Sequence, residues 1–218
     1  MKNTFLKLMA VTLILMTAFV ACDKNNDNND DNSNNTNNPT NPTGEVGVKI
    51  NGVTWATRNV DKPGTFTAKP EDAGMFYQWN RKIGWSSTDP MLNSNTDTIW
   101  DNSMSNSDSW ESINDPCPSG WRVPTLSELQ SLINFDGYWG ELNGVDGYFF
   151  DNGNQKVFFP AAGNRSFDGS LLNVGILGSY WCRENSLDFP YYMGFVNIGI
   201  DVYFSASTDG RSVRCVKE

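Results

Sequence analysis

Histidine is missing altogether from the 218 residues. Its absence excludes Ser-His-Asp and Cys-His catalysis, histidine-ligated zinc or iron and any imidazole acid–base step. Only carboxylate, lysine, tyrosine or cysteine chemistry stays open. Positive charge is scarce as well: 16 Lys and Arg stand against 25 Asp and Glu, for a net charge of −9. Such a chain repels nucleic acid and anionic lipid headgroups, so no nucleic-acid partner is expected. No apolar run reaches the roughly 20 residues that span a bilayer. Cysteine is limited to four residues.

What is there begins with an address. Lys2 and Lys7 precede an apolar stretch from Leu8 to Val20 that ends in Ala21-Cys22. A short basic segment, about a dozen apolar residues and a small residue before the cut form a secretory signal, residues 1–21. A cysteine directly after the small residue resembles the lipobox of bacterial lipoproteins, in which Cys22 is lipidated and becomes the mature N-terminus. The alternative is an ordinarily cleaved secreted protein. Removing the two lysines of the signal takes the net charge from −9 to −11, so the expected membrane partnership runs through acyl chains, not a basic patch. Asp23, Asp27, Asp30 and Asp31 resemble the signal that exports some lipoproteins to the cell surface. The expected location is the outer membrane, lipid-anchored and facing the exterior.

From residue 22 to 44 the composition collapses to Asn, Asp, Thr, Ser and Pro, with no aliphatic or aromatic residue from Asp23 through Thr43. A segment of this kind cannot offset its ordering entropy and reads as a tether, with an end-to-end distance of about 25 Å. The remaining residues, 45–218, suit one domain. Val46, Val48 and Ile50 alternate, Asn51-Gly52 is a hairpin turn, and Thr54 to Thr57 form the return strand. Ala73, Phe76, Tyr77 and Trp79 are spaced for a short helix within residues 71–81. Residues 84–115 lack periodicity and predict a long structured loop. Thr125 with Glu128 forms a capping box ahead of Leu126, Leu129, Leu132 and Ile133, which carry helical spacing. Short strands are expected at Val157–Phe159, Ser179–Arg183, Tyr192–Val196, Ile200–Phe204 and Ser212–Val216. The fold class is α+β with antiparallel strands.

With Cys22 lipidated, three cysteines remain in a compartment where disulfides persist: one bridge and one spare thiol. The preferred pair is Cys117 with Cys215, which ties the approach to the capped helix to the last strand. Cys182 with Cys215 is the structural alternative. Cys182 lies in Tyr180-Trp181-Cys182, a strand setting that suits a buried, inert thiol.

Several segments, taken in order, carry more than any one of them alone. They are Trp55-Ala56-Thr57-Arg58-Asn59-Val60, Gly74-Met75-Phe76-Tyr77-Gln78-Trp79 and Cys117-Pro118-Ser119-Gly120-Trp121-Arg122-Val123-Pro124. Pro160-Ala161-Ala162-Gly163-Asn164-Arg165, Asp168-Gly169-Ser170, Gly178-Ser179-Tyr180-Trp181 and Arg211 to Lys217 complete the set. The ordered set closely resembles the Fibrobacter succinogenes major paralogous domain, a cell-surface lipoprotein family, over Val46 to Glu218. The resemblance implies a C-type-lectin-like fold, which formylglycine-generating enzymes also use. Cys182 departs from the serine usual after the aromatic-Trp pair. Most motif residues read as structural: Trp121, Trp181 and Tyr180 as core, and Arg122, Arg165 and Arg214 as partners of buried carboxylates or carbonyls.

In lectin-like folds the ligand face is built from long loops and late strands. Here that region holds Arg183, Glu184, Asn185, Asp188, Tyr191, Tyr192, Asn197, Asp201 and Tyr203. Tyr, Asn and Asp give contact area and adaptable hydrogen bonds at low entropic cost. The expected function is non-catalytic binding or adhesion to an extracellular glycan or protein; a structural subunit of a surface appendage is the alternative. The calcium motifs Glu-Pro-Asn and Trp-Asn-Asp of such lectins are absent, and Trp100-Asp101-Asn102 has the letters in another order. Asp97, Asp101 and Asp108 are hard oxygen donors, but no metal and no cofactor is expected. An enzyme is the minor alternative: a copper pair of the formylglycine type would have to join Cys182 and Cys215, and Glu141 with Asp146 is a carboxylate pair of glycosidase type.

Overall fold

Asn51 and Gly52 both take positive φ, 48° and 86°, and turn the chain back on itself directly after its first strand ends. The computed structural model describes residues 44–218; the signal, Cys22 and all but the last residue of the tether lie outside them. The first strands are β1 (Val48–Ile50), β2 (Val53–Trp55), β3 (Phe76–Gln78), β4 (Gly84–Trp85) and β5 (Trp121–Arg122). Helix α1 (Leu126–Ile133) follows, and then β6 (Gly137–Leu142), β7 (Val145–Asp151), β8 (Lys156–Pro160), β9 (Asn164–Arg165) and β10 (Leu171–Leu172). The chain closes with β11 (Gly178–Ser186), β12 (Phe189–Val196), β13 (Gly199–Phe204), β14 (Gly210–Arg211) and β15 (Val216–Lys217). The strands form small antiparallel sheets of order β1-β2-β15-β5, β10-β9-β14-β3-β4, β11-β12-β13 and β6-β7-β8. Among the described residues, several antiparallel sheets with one α-helix make an α+β, mostly-β fold.

Helix α1 starts where the capping box places it. Thr125 Oγ1 accepts from Glu128 N, Glu128 Oε2 accepts from Thr125 N at 2.7 Å, and Arg122 grips both Glu128 oxygens at 2.8 and 2.7 Å. Leu129 and Leu132 are its buried residues.

Two apolar clusters lie on opposite faces of β11. Successive side chains of a strand point to opposite faces. Accordingly Tyr180 and Cys182 join a cluster with Trp55, Phe150, Phe159, Met193 and Phe195, whereas Trp181 joins one with Tyr77, Trp79, Trp110, Trp121 and Cys215. Every tryptophan except Trp139 is buried. Each fully buried one represents about 4–6 kcal/mol of gross burial before entropy is counted. Arg214, also fully buried, donates to Asn59 Oδ1 and to Ala56 O and lies 4.3 Å from the centre of the Phe159 ring. Burial lowers its pKa to about 10. Arg165 donates to the carbonyls of Ser86, Thr88 and Gly169.

Cys117 and Cys215 are bonded, their Cα atoms 6.1 Å apart and 98 residues apart in sequence. Cys182 is free and buried, its Sγ 3.4 Å from Tyr191 O. Since Cys182 and Cys215 belong to clusters on opposite faces of β11, the alternative pairing has no route.

Three expectations change. Residues 71–81 hold no helix; Phe76, Tyr77 and Gln78 form β3, buried on both faces between β14 and β4, which mimics helical apolar spacing. Ser212–Val216 is not one strand. Ser212 pairs with Tyr180, Val213 O accepts from Val60 N and Cys215 O from Ala56 N, so the partner changes along the segment. Finally, β6 and β7 form a hairpin around Asn143-Gly144, both at positive φ, where the sequence reading expects no strand.

Candidate functional site

The register of β11-β12-β13 sets three aromatic side chains abreast. Trp181 pairs with Tyr192, and Tyr192 with Tyr203. Paired residues share a face, so the row runs from buried Trp181 through half-buried Tyr192 to Tyr203, 49% exposed on the outer strand. Trp181 and Tyr192 meet edge to face at 5.9 Å, and Tyr192 and Tyr203 are tilted at 5.7 Å. Asp201 pairs with Gly194 on the same face and is exposed. Gly194 leaves the space the Tyr203 ring occupies: a Cβ there would stand 2.9 Å from Tyr203 Cδ2.

Arg211 holds the inner end of the row. Its guanidinium lies 3.6 Å from the centre of the Tyr192 ring and 5.0 Å from that of Trp181. Nη2 donates to Asp209 Oδ2 at 3.1 Å, and Ser205 Oγ donates to the same oxygen. Burial pushes the Arg211 pKa down, against the pull of Tyr192 and Asp209. A cation stacked on a desolvated ring contributes on the order of 2 kcal/mol, enough to fix Tyr192 as a rigid backing for Tyr203.

The nine expected ligand-face residues divide. Arg183, Glu184 and Asn185 are half-buried and tie loops to β11: Arg183 Nη2 donates to Trp110 O, Glu184 Oε2 accepts from Leu126 N at 2.7 Å, and Asn185 Nδ2 donates to Ser107 O at 2.7 Å. Tyr191 faces the other way and packs on the Tyr180 cluster. Asp188 and Asn197 are exposed in the turns at opposite ends of β12. Tyr192, Asp201 and Tyr203 come together. Sequence reasoning missed Arg211 and Gly194 as parts of the site; nothing in the spacing links either to the tyrosines.

The carboxylates weighed for other chemistry have local roles. Asp97 accepts from Asn93 Nδ2, and Asp101 accepts from Ser103 N and Ser103 Oγ. Among the described residues no group of three or more His, Cys, Asp or Glu is gathered to hold a metal ion. Glu141 and Asp146 are exposed and directly opposite each other across β6 and β7. Burial pushes the Cys182 thiol pKa well up, away from thiolate chemistry. No family model, no curated protein and no solved structure matches this chain.

Proposed function

We propose that this chain is a non-catalytic binding module, of lectin-like fold, for an extracellular glycan or protein. It would be displayed on the outer membrane by lipidation of Cys22, in keeping with the resemblance to the Fibrobacter succinogenes major paralogous domain. The observation that supports it is the row Trp181–Tyr192–Tyr203, with Arg211 bracing its inner end and Tyr203 and Asp201 open at its outer end. A rigid, half-exposed aromatic beside a carboxylate offers a flat apolar contact and a hydrogen-bond acceptor at little ordering cost. The test is a glycan array on the purified domain, with and without calcium, followed by Tyr203→Ala and Asp201→Ala. Each substitution should weaken binding while keeping stability within about 1 kcal/mol. Loss of folding instead would place the two side chains in the core.

A second reading, a subunit of a surface appendage, draws on one feature: β13 is the outer strand of its sheet, paired on one side by β12. Open edges accept added strands. Concentration-dependent assembly of the purified chain, stopped by Val202→Pro with glycan binding intact, would favour it.

A further inference from the structure

A cleft of about 740 Å³, lined by none of the tyrosine-row residues, opens between the loop after β2, the β6–β7 turn and the loops flanking β9 and β10. Its size falls in the range of pockets that take up a drug-sized group. Four carboxylates line it, Asp61, Glu71, Asp72 and Asp146, and no lysine or arginine does. Glu71 is 8% exposed, and Asn143 Nδ2 donates to its Oε1 at 2.9 Å; Asp72 Oδ2 accepts from Lys69 N at 2.9 Å. These bonds fix two of the carboxylates in position. No salt bridge to any of the four is formed among the described residues, although five others are. The Asn143 hydrogen bond, helped by nearby Lys69, holds the Glu71 pKa below the ordinary value. Lys69 does not line the cleft, so four carboxylates face the opening without an ion pair and favour a cationic ligand.

The rest of the lining is largely apolar. Pro160, Ala161 and Ala162 form part of it, and Val174 continues it to the rim. There the loop leaves Leu172, Val174 and Ile176 exposed, at 44%, 55% and 63%. Exposed aliphatic side chains in one loop beside a cleft mark an interaction edge. A small amine would meet the carboxylates and leave this lip uncovered.

We propose that the cleft is a second binding site, for an extended peptide segment of a partner protein in which a lysine or arginine alternates with aliphatic side chains. The cation enters between Glu71 and Asp146, and the aliphatic groups cover Ala162 and the Val174 lip. The charge asymmetry supplies the specificity: an acidic peptide would meet four carboxylates and no lining cation.

Fluorescence polarisation with a fluorescein-labelled nonapeptide of alternating valine and lysine tests this. The full domain should bind it in a salt-sensitive manner and should not bind the valine–glutamate counterpart. Glu71→Gln, which keeps the Asn143 acceptor, should weaken binding about tenfold, as expected for loss of a charged hydrogen bond. Asp146→Asn, at an exposed position that cannot unfold the domain, should weaken it in the same direction, and Tyr203→Ala should leave it unchanged. The proposal is overturned by equal binding of both peptides, by no binding at low salt, by indifference to both carboxylate variants, or by full competition from lysine amide alone. Because Tyr203 does not line the cleft, failure here does not bear on the tyrosine row.

Discussion

Opening the Cys117–Cys215 bridge is the perturbation whose size follows most directly from the structure. The bond closes a span of 98 residues, and chain-entropy reasoning assigns roughly 4.7 kcal/mol to a loop of that length. Cys117 is half-buried and Cys215 fully buried. Cys117→Ser therefore removes the cross-link with little further cost, whereas Cys215→Ser also leaves a hydroxyl in an apolar cluster, about 1–3 kcal/mol more. In a domain of this size 1 kcal/mol moves the melting temperature by about 2–4 °C, so Cys117→Ser should melt about 9–19 °C lower and Cys215→Ser lower still. The assay is thermal unfolding by circular dichroism without reductant, with free thiols counted in denaturant. Cys182 cannot take over, because it lies across β11 from Cys215. A drop under about 3 °C for Cys117→Ser, or a Cys182–Cys215 bond in its peptide map, would refute the reasoning.

Acid should weaken the domain through Glu45 and Glu128. Burial raises both pKa values, but hydrogen bonds from Thr57 and Arg58 in the first case, and from Arg122 and Thr125 in the second, outweigh it and set each below the ordinary 4.5. Their stabilisation is complete above pH 4.5 and fades as pH falls through the lower folded-state values; Glu128→Gln should flatten the decline in melting temperature measured over that range. The Cys182 thiol should resist maleimide in the native state and react in denaturant. Native labelling at the rate of an unfolded thiol would contradict its burial.

The parts legible in the sequence are those governed by local chemistry. Asn51-Gly52 dictates its own turn, Thr125 and Glu128 satisfy each other's backbone donors, and the alternation through β12 and β13 sets Asp201 and Tyr203 on one face. The Asn143-Gly144 turn has the same two residues as Asn51-Gly52, so the β6–β7 hairpin is equally legible in local sequence. Residues 76–79 misled for a physical reason. A strand covered on both faces has no polar side, so its apolar spacing cannot reveal its period. The site was legible only at its outer end. Arg211 reaches Tyr192 through tertiary packing across 18 intervening positions in sequence and from another sheet, and no local pattern encodes such a meeting.

Strand β11 gives its odd and even residues to different masters. Tyr180 and Cys182 serve one cluster and Trp181 the other, with Trp181 Nε1 donating to Tyr77 O and Tyr180 hydroxyl to Pro160 O. Neither cluster can melt while the other keeps this strand in place, because a strand cannot be ordered for alternate residues only. The domain is thus a single cooperative unit despite its four small sheets. A defect introduced anywhere along Gly178–Ser186 is felt at once on both sides, whereas one confined to the exposed Asn143-Gly144 turn can stay local.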